Sequence, residues 1–234
     1  MSFLGRLDGH HFYNEGTQCF FGAALLDSYE AERRPVHNFV MDEAVANHAH
    51  LGNDLWCPGL EDDGMVGEGL RREVGARVQA AKMREFYTLG VTLGYRYEGS
   101  SVIVDDGSRA PARDFINYRP SAHPGCLAPH AWLHDGTSLY DHFGSGFTLL
   151  ATAGADAAGL AAADAAARAA GVPMTIIQPQ EAALADLYQA PYTLIRPDQH
   201  VAWRGTAVPG DAAALFACVT GRAQAKAGEP ALAQ

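Results

Sequence analysis

Three histidines crowd the stretch "PHAWLHDGTSLYDHFG": His130, His134 and His142, with Asp135 and Asp141 beside them. Imidazoles next to carboxylates are the groups from which a His/Asp metal site, or a general base working near neutral pH, is built. The spacing argues against a metal. Pro129 and Gly136 interrupt any long helix, so the gap from His130 to His134 does not stack two rings on one face. The segment reads as a turn with surface or hydrogen-bonded histidines, and His130, His134 and His142 stand as candidates for acid–base work only. Tyr95 and Tyr97 flank Arg96 in a β-textured segment. They are candidates for lining an aromatic-ligand pocket or for acid–base work, although alternating aromatics are first a sign of a half-buried strand. His10-His11 and His48-x-His50 fit the surface reading as well. Cys19, Cys57, Cys126 and Cys218 form no C-x-x-C pair, which excludes a thioredoxin-type redox couple and the usual zinc spacings. Cys126 follows a Pro-Gly turn with no adjoining base and reads as a structural thiol.

These residues need elements to hold them. In "LLDSYEAERRPVHNFVMDEAVANHA", Asp27 with Glu30 three residues on has the form of a capping box, and Pro35 is expected to break the helix or open a second one. Val36, Phe39, Val40 and Ala44 mark one face of that second helix. After the loop "CPGLEDDGMVGEG", a helix is expected over about Gly67–Leu89, with Leu70, Val74, Val78 and Ala81 in line. Beyond Gly90, "VTLGYRYEGSSVIVDDG" reads as β, and "RPSAHPGCLAPH" as extended chain and turns. Then come a strand "GFTLLAT", an Ala-rich helix from Asp156 (N-cap) to Ala170 with Gly171 closing it, a strand "PMTIIQ" and a short helix "EAALADLY". The strands "YTLIR" and "HVAWR" and a helix from Asp211 to Thr220 complete the series. A parallel βαβ half followed by an antiparallel hairpin and a helix is the thioredoxin order. Trp203 is expected beneath the last helix. Arg196, Asp198 and Arg204 are expected to set hairpin geometry and surface charge, with Pro197 presetting the turn.

The 234 residues, 48% hydrophobic and 19% charged, describe a folded chain with a real core. A formal charge of −10 without a basic patch excludes ordinary nucleic-acid binding. No apolar run is long enough for a membrane span, and "MSFLGRLDGHHFYNEG" has no apolar signal core, so a cytoplasmic protein is the expectation.

Read together, "LLDSYEAERRPV", "LGYRYEGS", "PGCLAPHAWLHDGTSLYDHFGSGFTLL" and "LIRPDQHVAWRG" resemble the C-terminal part of FAD-dependent aromatic hydroxylases, the single-component flavin monooxygenases, from about Leu25 to Arg222. The resemblance implies that the first motif closes an FAD domain and that the last part is an appended thioredoxin-like domain without redox cysteines. The resulting division is an unmatched irregular stretch (1–23), a mainly helical segment (24–105), a thioredoxin-like domain (106–222) and a frayed tail (223–234). The fold class is therefore α/β, a redox-inactive thioredoxin-like domain preceded by a mainly helical segment.

The family's G-x-G-x-x-G turn, whose glycines admit the FAD pyrophosphate, is not in this sequence, and "GSGFTLL" leads into a strand rather than a helix. No cofactor is expected in this chain alone, with FAD present only if a partner chain brings it. Three functions stay open. The chain is a non-catalytic module that docks on a flavin-bearing partner or forms a homodimer, its Val36/Phe39/Val40 face covered there. Or it is a flavin-independent cyclase, dehydratase or isomerase for aromatic or polyketide-like small molecules. Or it is a truncated product without a role.

Overall fold

Five consecutive buried residues, Phe147–Ala151, form the strand (β1) on which the fold is built. A strand buried on both faces reads as an unbroken apolar run, as "FTLLA" does. In this computed structural model, which describes residues 21–49 and 56–223, β1 pairs in parallel with β2 (Met174–Ile177) and antiparallel with β3 (Tyr192–Ile195). β3 pairs in turn with β4 (Val201–Gly205), giving the order β2-β1-β3-β4. Side chains alternate across the sheet. Phe147 and Leu149 join Leu194, Trp203, Leu215 and Phe216 in one core, and Leu150 joins Ile195, Val201, Leu184 and Tyr188 in another.

The helices of this half begin where their caps say. Asp156 accepts the Gly159 amide at 2.6 Å and Asp211 the Ala214 amide at 2.9 Å. They open the helices Ala157–Ala169 and Ala212–Val219. Gly171, at φ 63°, takes the left-handed position just past the first of them. The short helix Ala183–Tyr188 lies between β2 and β3. The strand and helix order is the expected thioredoxin-like one, with Trp203 packed in the same core as Leu215 and Phe216 of the last helix.

The preceding segment departs from expectation in three places. A single helix, α1 (Ala24–Ala49), runs through Pro35 without a break. Asp27 is not its cap, because the helix has already begun: the Asp27 amide donates to Ala23 O, leaving the carboxylate in the first turn. Pro35 forfeits only its own amide bond, and the chain stays helical because Leu25, Ser28, Glu32, Val36, Phe39 and Glu43, at steps of three and four, form one buried stripe. The second departure lies beyond Gly90. The region holds a short helix, α3 (Leu89–Leu93), after α2 (Met65–Phe86), and then irregular chain with an isolated Arg96–Cys126 bridge in place of a strand. Its alternating valines serve as loop anchors: Val102 is fully buried, and the Val104 amide donates to Ala202 O at 2.8 Å. The third departure concerns the apolar face of α1. Val36 and Phe39 are buried, whereas Val40 and Ala44 are exposed. Phe39 stacks on Phe115 at 4.7 Å with the Arg113 guanidinium over its ring.

Contacts divide the chain into two units, Met1–Arg34 with Arg96–Pro111 and Pro120–Gln234, and Pro35–Tyr95 with Ala112–Arg119. The sheet belongs to the first. In the second, Arg71 donates to Leu60 O and Asp62 O, tying the loop before α2 to the helix. Among the described residues no helix is long and apolar enough to cross a membrane.

Candidate functional site

The β3–β4 turn gathers the densest buried charge in the first unit. The Arg196 amide donates to His200 O and the Gln199 amide to Arg196 O, with Gln199 left-handed at φ 69°. This closed turn aims Arg196 and Asp198 inward, where both are almost fully buried. The Arg196 guanidinium donates to Glu32 Oε1 at 2.6 Å and Oε2 at 2.9 Å, and to Asp198 at 3.2 and 2.9 Å. Its planar fork meets a carboxylate on each side, the geometry in which arginine pairs best. The Ser100 hydroxyl adds a bond to Glu32 at 2.6 Å. Tyr97 stacks on His200 at 4.3 Å, with the Arg196 guanidinium near its ring. Burial raises the Asp198 carboxyl, but the adjacent Arg196 charge and His200 outweigh it and hold the group below the usual carboxylate range.

Arg196 and Asp198 are thus core charges and not surface charges, because the guanidinium is paired with both Glu32 and Asp198 inside the fold. Four hydrogen bonds hold the Arg196 guanidinium between α1 and the turn. What the cluster can do is fasten α1 to the hairpin. Glu32 occupies a core step of the α1 stripe, and that misplaced polarity is the sequence signal for this partner.

A hollow of about 380 Å³ opens beside this cluster, lined by Arg96, Tyr97, Glu98, Ser100, Asp105 and His123 among others. Arg96 pairs with Glu98 and donates to Pro111 O. At the rim, the Arg204 guanidinium donates to Asp106 at 2.5 Å and to the Ser108 hydroxyl at 3.1 Å. Burial raises the Asp106 carboxyl, but hydrogen bonds from Ser108 and Arg204 outweigh it and lower the group to about 2. Cys126 is buried and its thiol is pushed up to about 11, so it is no nucleophile at neutral pH.

Of the candidate catalytic residues in the first unit, Tyr97 lines one hollow and His134 and His142 border another. Tyr97 is 2% exposed, stacks within the charged cluster and lines the hollow beside it from irregular chain instead of a strand, while Tyr95 belongs to the second unit. His130 is exposed and bonds to the Ser138 hydroxyl. His134 and His142 are also exposed, and with Asp135 and Glu181 they border an open hollow of about 510 Å³. His134 Nδ1 lies 2.9 Å from Glu181 Oε1, and His142 Nε2 lies 2.7 Å from the Thr137 hydroxyl. His142 sits in a one-turn 3₁₀ helix (Leu139–His142) that Ser138 caps, in line with the interruption expected from Pro129 and Gly136. His10, His11, His50, Cys19 and the tail beyond Ala223 lie outside the described residues.

The pyrophosphate of FAD binds at helix N-termini, and several of those described here carry carboxylates. Asp156 and Asp211 cap two of the longer helices, Asp62 and Asp63 precede α2, and the Gly221 backbone lies against the start of α1. An anion at any of the first three would meet a carboxylate.

Residues 121–223 match the family of aromatic-ring hydroxylase C-terminal domains. This chain corresponds to the C-terminal part of FAD-dependent aromatic monooxygenases. It is 32% identical over 207 residues to the FAD-dependent monooxygenase apdD of Emericella nidulans, covering 82% of this chain and 32% of that protein. It is 32% identical over 210 residues to aklavinone 12-hydroxylase RdmE of Streptomyces purpurascens, covering 82% and 34%. The rebeccamycin biosynthetic enzyme RebC with reduced flavin superposes with a TM-score of 0.76 at 36% identity, over 87% of this chain and 37% of that one. The flavin-dependent monooxygenase PieE in complex with FAD and substrate gives 0.73 at 30% identity, over 87% and 41%. The chain thus spans about a third of the length of the curated relatives it matches.

Proposed function

We propose that this chain works as the C-terminal region of an FAD-dependent aromatic monooxygenase, docked through helix α1 on a flavin-bearing part that supplies the redox chemistry. The observation that supports this reading is the second face of α1. Opposite the buried stripe of Leu25, Glu32, Val36 and Phe39, the helix exposes Met41 (45%) and Val45 (64%), one turn apart, and Leu26 (62%) is exposed to the side of the stripe. Large apolar side chains left in solvent on a helix mark an interface, and these have no cover among the described residues. The relatives are FAD-dependent enzymes of which this chain covers about a third, which supports placing the flavin in the part on which it docks.

The test mixes the purified chain with the flavin-bearing region of a related monooxygenase and measures the mass of the product by size exclusion with light scattering. The reading predicts a one-to-one complex that the paired change Met41→Glu and Val45→Glu abolishes while the chain's circular dichroism is retained. Separate elution of the two polypeptides, or a complex indifferent to that change, counts against it.

A further inference from the structure

His123 is buried and belongs to no part of the docking reading. Its Nδ1 lies 2.8 Å from Pro124 O and its Nε2 lies 3.3 Å from Ser108 O. A carbonyl oxygen only accepts, so in the neutral ring Nδ1 carries the proton for the shorter contact and Nε2 is left with a lone pair facing another acceptor. Ligand atoms of Asp105 and Asp106 lie within 4.8 Å of each other and of the imidazole. An imidazole nitrogen and two carboxylates therefore lie close enough to share one ion, with Asp105 Oδ1 also accepting the Gly107 amide and Asp106 Oδ1 the Ser108 amide.

We propose that His123 Nε2, Asp105 and Asp106 bind a divalent first-row cation at the rim of the Arg96–His123 hollow. One nitrogen with oxygen donors suits manganese or zinc better than magnesium or calcium. The surroundings are those of a metal-ligating histidine, which as a rule donates its other N–H to a carbonyl or carboxylate, as Nδ1 does to Pro124 O. Arg204 orients Asp106 from behind by its 2.5 Å bond. The hollow, which Asp105 and His123 also line, gives an ion a path in. Against the ion stand the Arg204 and Arg96 charges. Each is already paired, with Asp106 and Glu98 respectively.

The test titrates the full chain with MnCl2 by calorimetry and follows the histidine ring protons by NMR, since manganese competes little for the thiols. One equivalent is expected to bind, broadening the His123 resonances ahead of those of the other histidines. Asp105→Asn, at an exposed position, is expected to weaken binding by at least about tenfold without changing the melting temperature. His123→Gln is expected to do the same where it folds. No saturable binding, binding unchanged in Asp105→Asn, or a His123 ring protonated on both nitrogens at neutral pH and indifferent to manganese would each overturn the assignment.

Discussion

Replacing Glu32 by Ala removes two of the four hydrogen bonds that hold Arg196, those at 2.6 and 2.9 Å, together with the carboxylate that Ser100 serves. The Arg196 side chain is 0% exposed, so water cannot take over the vacated donors without opening the core. Breaking a buried pair by removing one partner costs about 3–5 kcal/mol. Asp198 remains, neutralising the guanidinium, so about 3 kcal/mol is the expected loss. Glu32→Gln keeps one acceptor and should lose about half of that. The double change Glu32→Leu with Arg196→Met removes both buried charges and should recover much of the loss. Urea unfolding followed by tryptophan fluorescence is the assay, since Trp203 is buried while Trp56 and Trp132 are exposed. A loss under about 1 kcal/mol in Glu32→Ala, with an unchanged denaturant slope, would refute the claim that this cluster fastens α1 to the hairpin.

Asp106 carries a pH signature. Its folded value of about 2 lies below the ordinary 3.8, so its stabilisation is complete above about pH 4 and is lost as pH falls toward 2. Asp106→Asn should flatten that part of the acid-unfolding curve, and an unchanged curve would count against the Arg204 contact. Cys126, with its thiol pushed up to about 11, should resist alkylation at pH 8 in the native protein and react once urea unfolds it. Peptide mapping of the labelled chain reads this directly. At Gly159 an added methyl group would collide with the Tyr192 hydroxyl, which accepts the Asp156 amide at 2.8 Å. Gly159→Ala should therefore destabilise by about 1–3 kcal/mol despite alanine's better helix propensity, seen as a lowered melting temperature.

The sheet half was legible because its signals are local. Asp156 and Asp211 announce helix starts by side-chain type, Gly171 announces an end, and "FTLLA" and "YTLI" are apolar runs that only a covered strand tolerates. The helical half was less so because tertiary contacts override local rules there. Pro35 looks like a breaker and is not one, since the buried stripe on α1 is set by distant residues such as Arg196 for Glu32 and Phe115 for Phe39. Alternation in "GYRYEGSSVIV" mimics a strand, but the valines anchor a loop. The charged cluster lay hidden for the same reason: Glu32 and Arg196 are 164 positions apart, and no spacing rule joins them. His123, Asp105 and Asp106 fall in two turn-rich segments that look like solvated loops by composition alone.

A docked C-terminal region leaves the flavin with its partner. Purified chain is incubated with FAD, desalted, and its visible absorption spectrum recorded, alone and again after mixing with a flavin-bearing region of a related monooxygenase. A colourless chain alone, with flavin bands in a stoichiometric complex, is the predicted result. Flavin bands retained by the chain alone would contradict it.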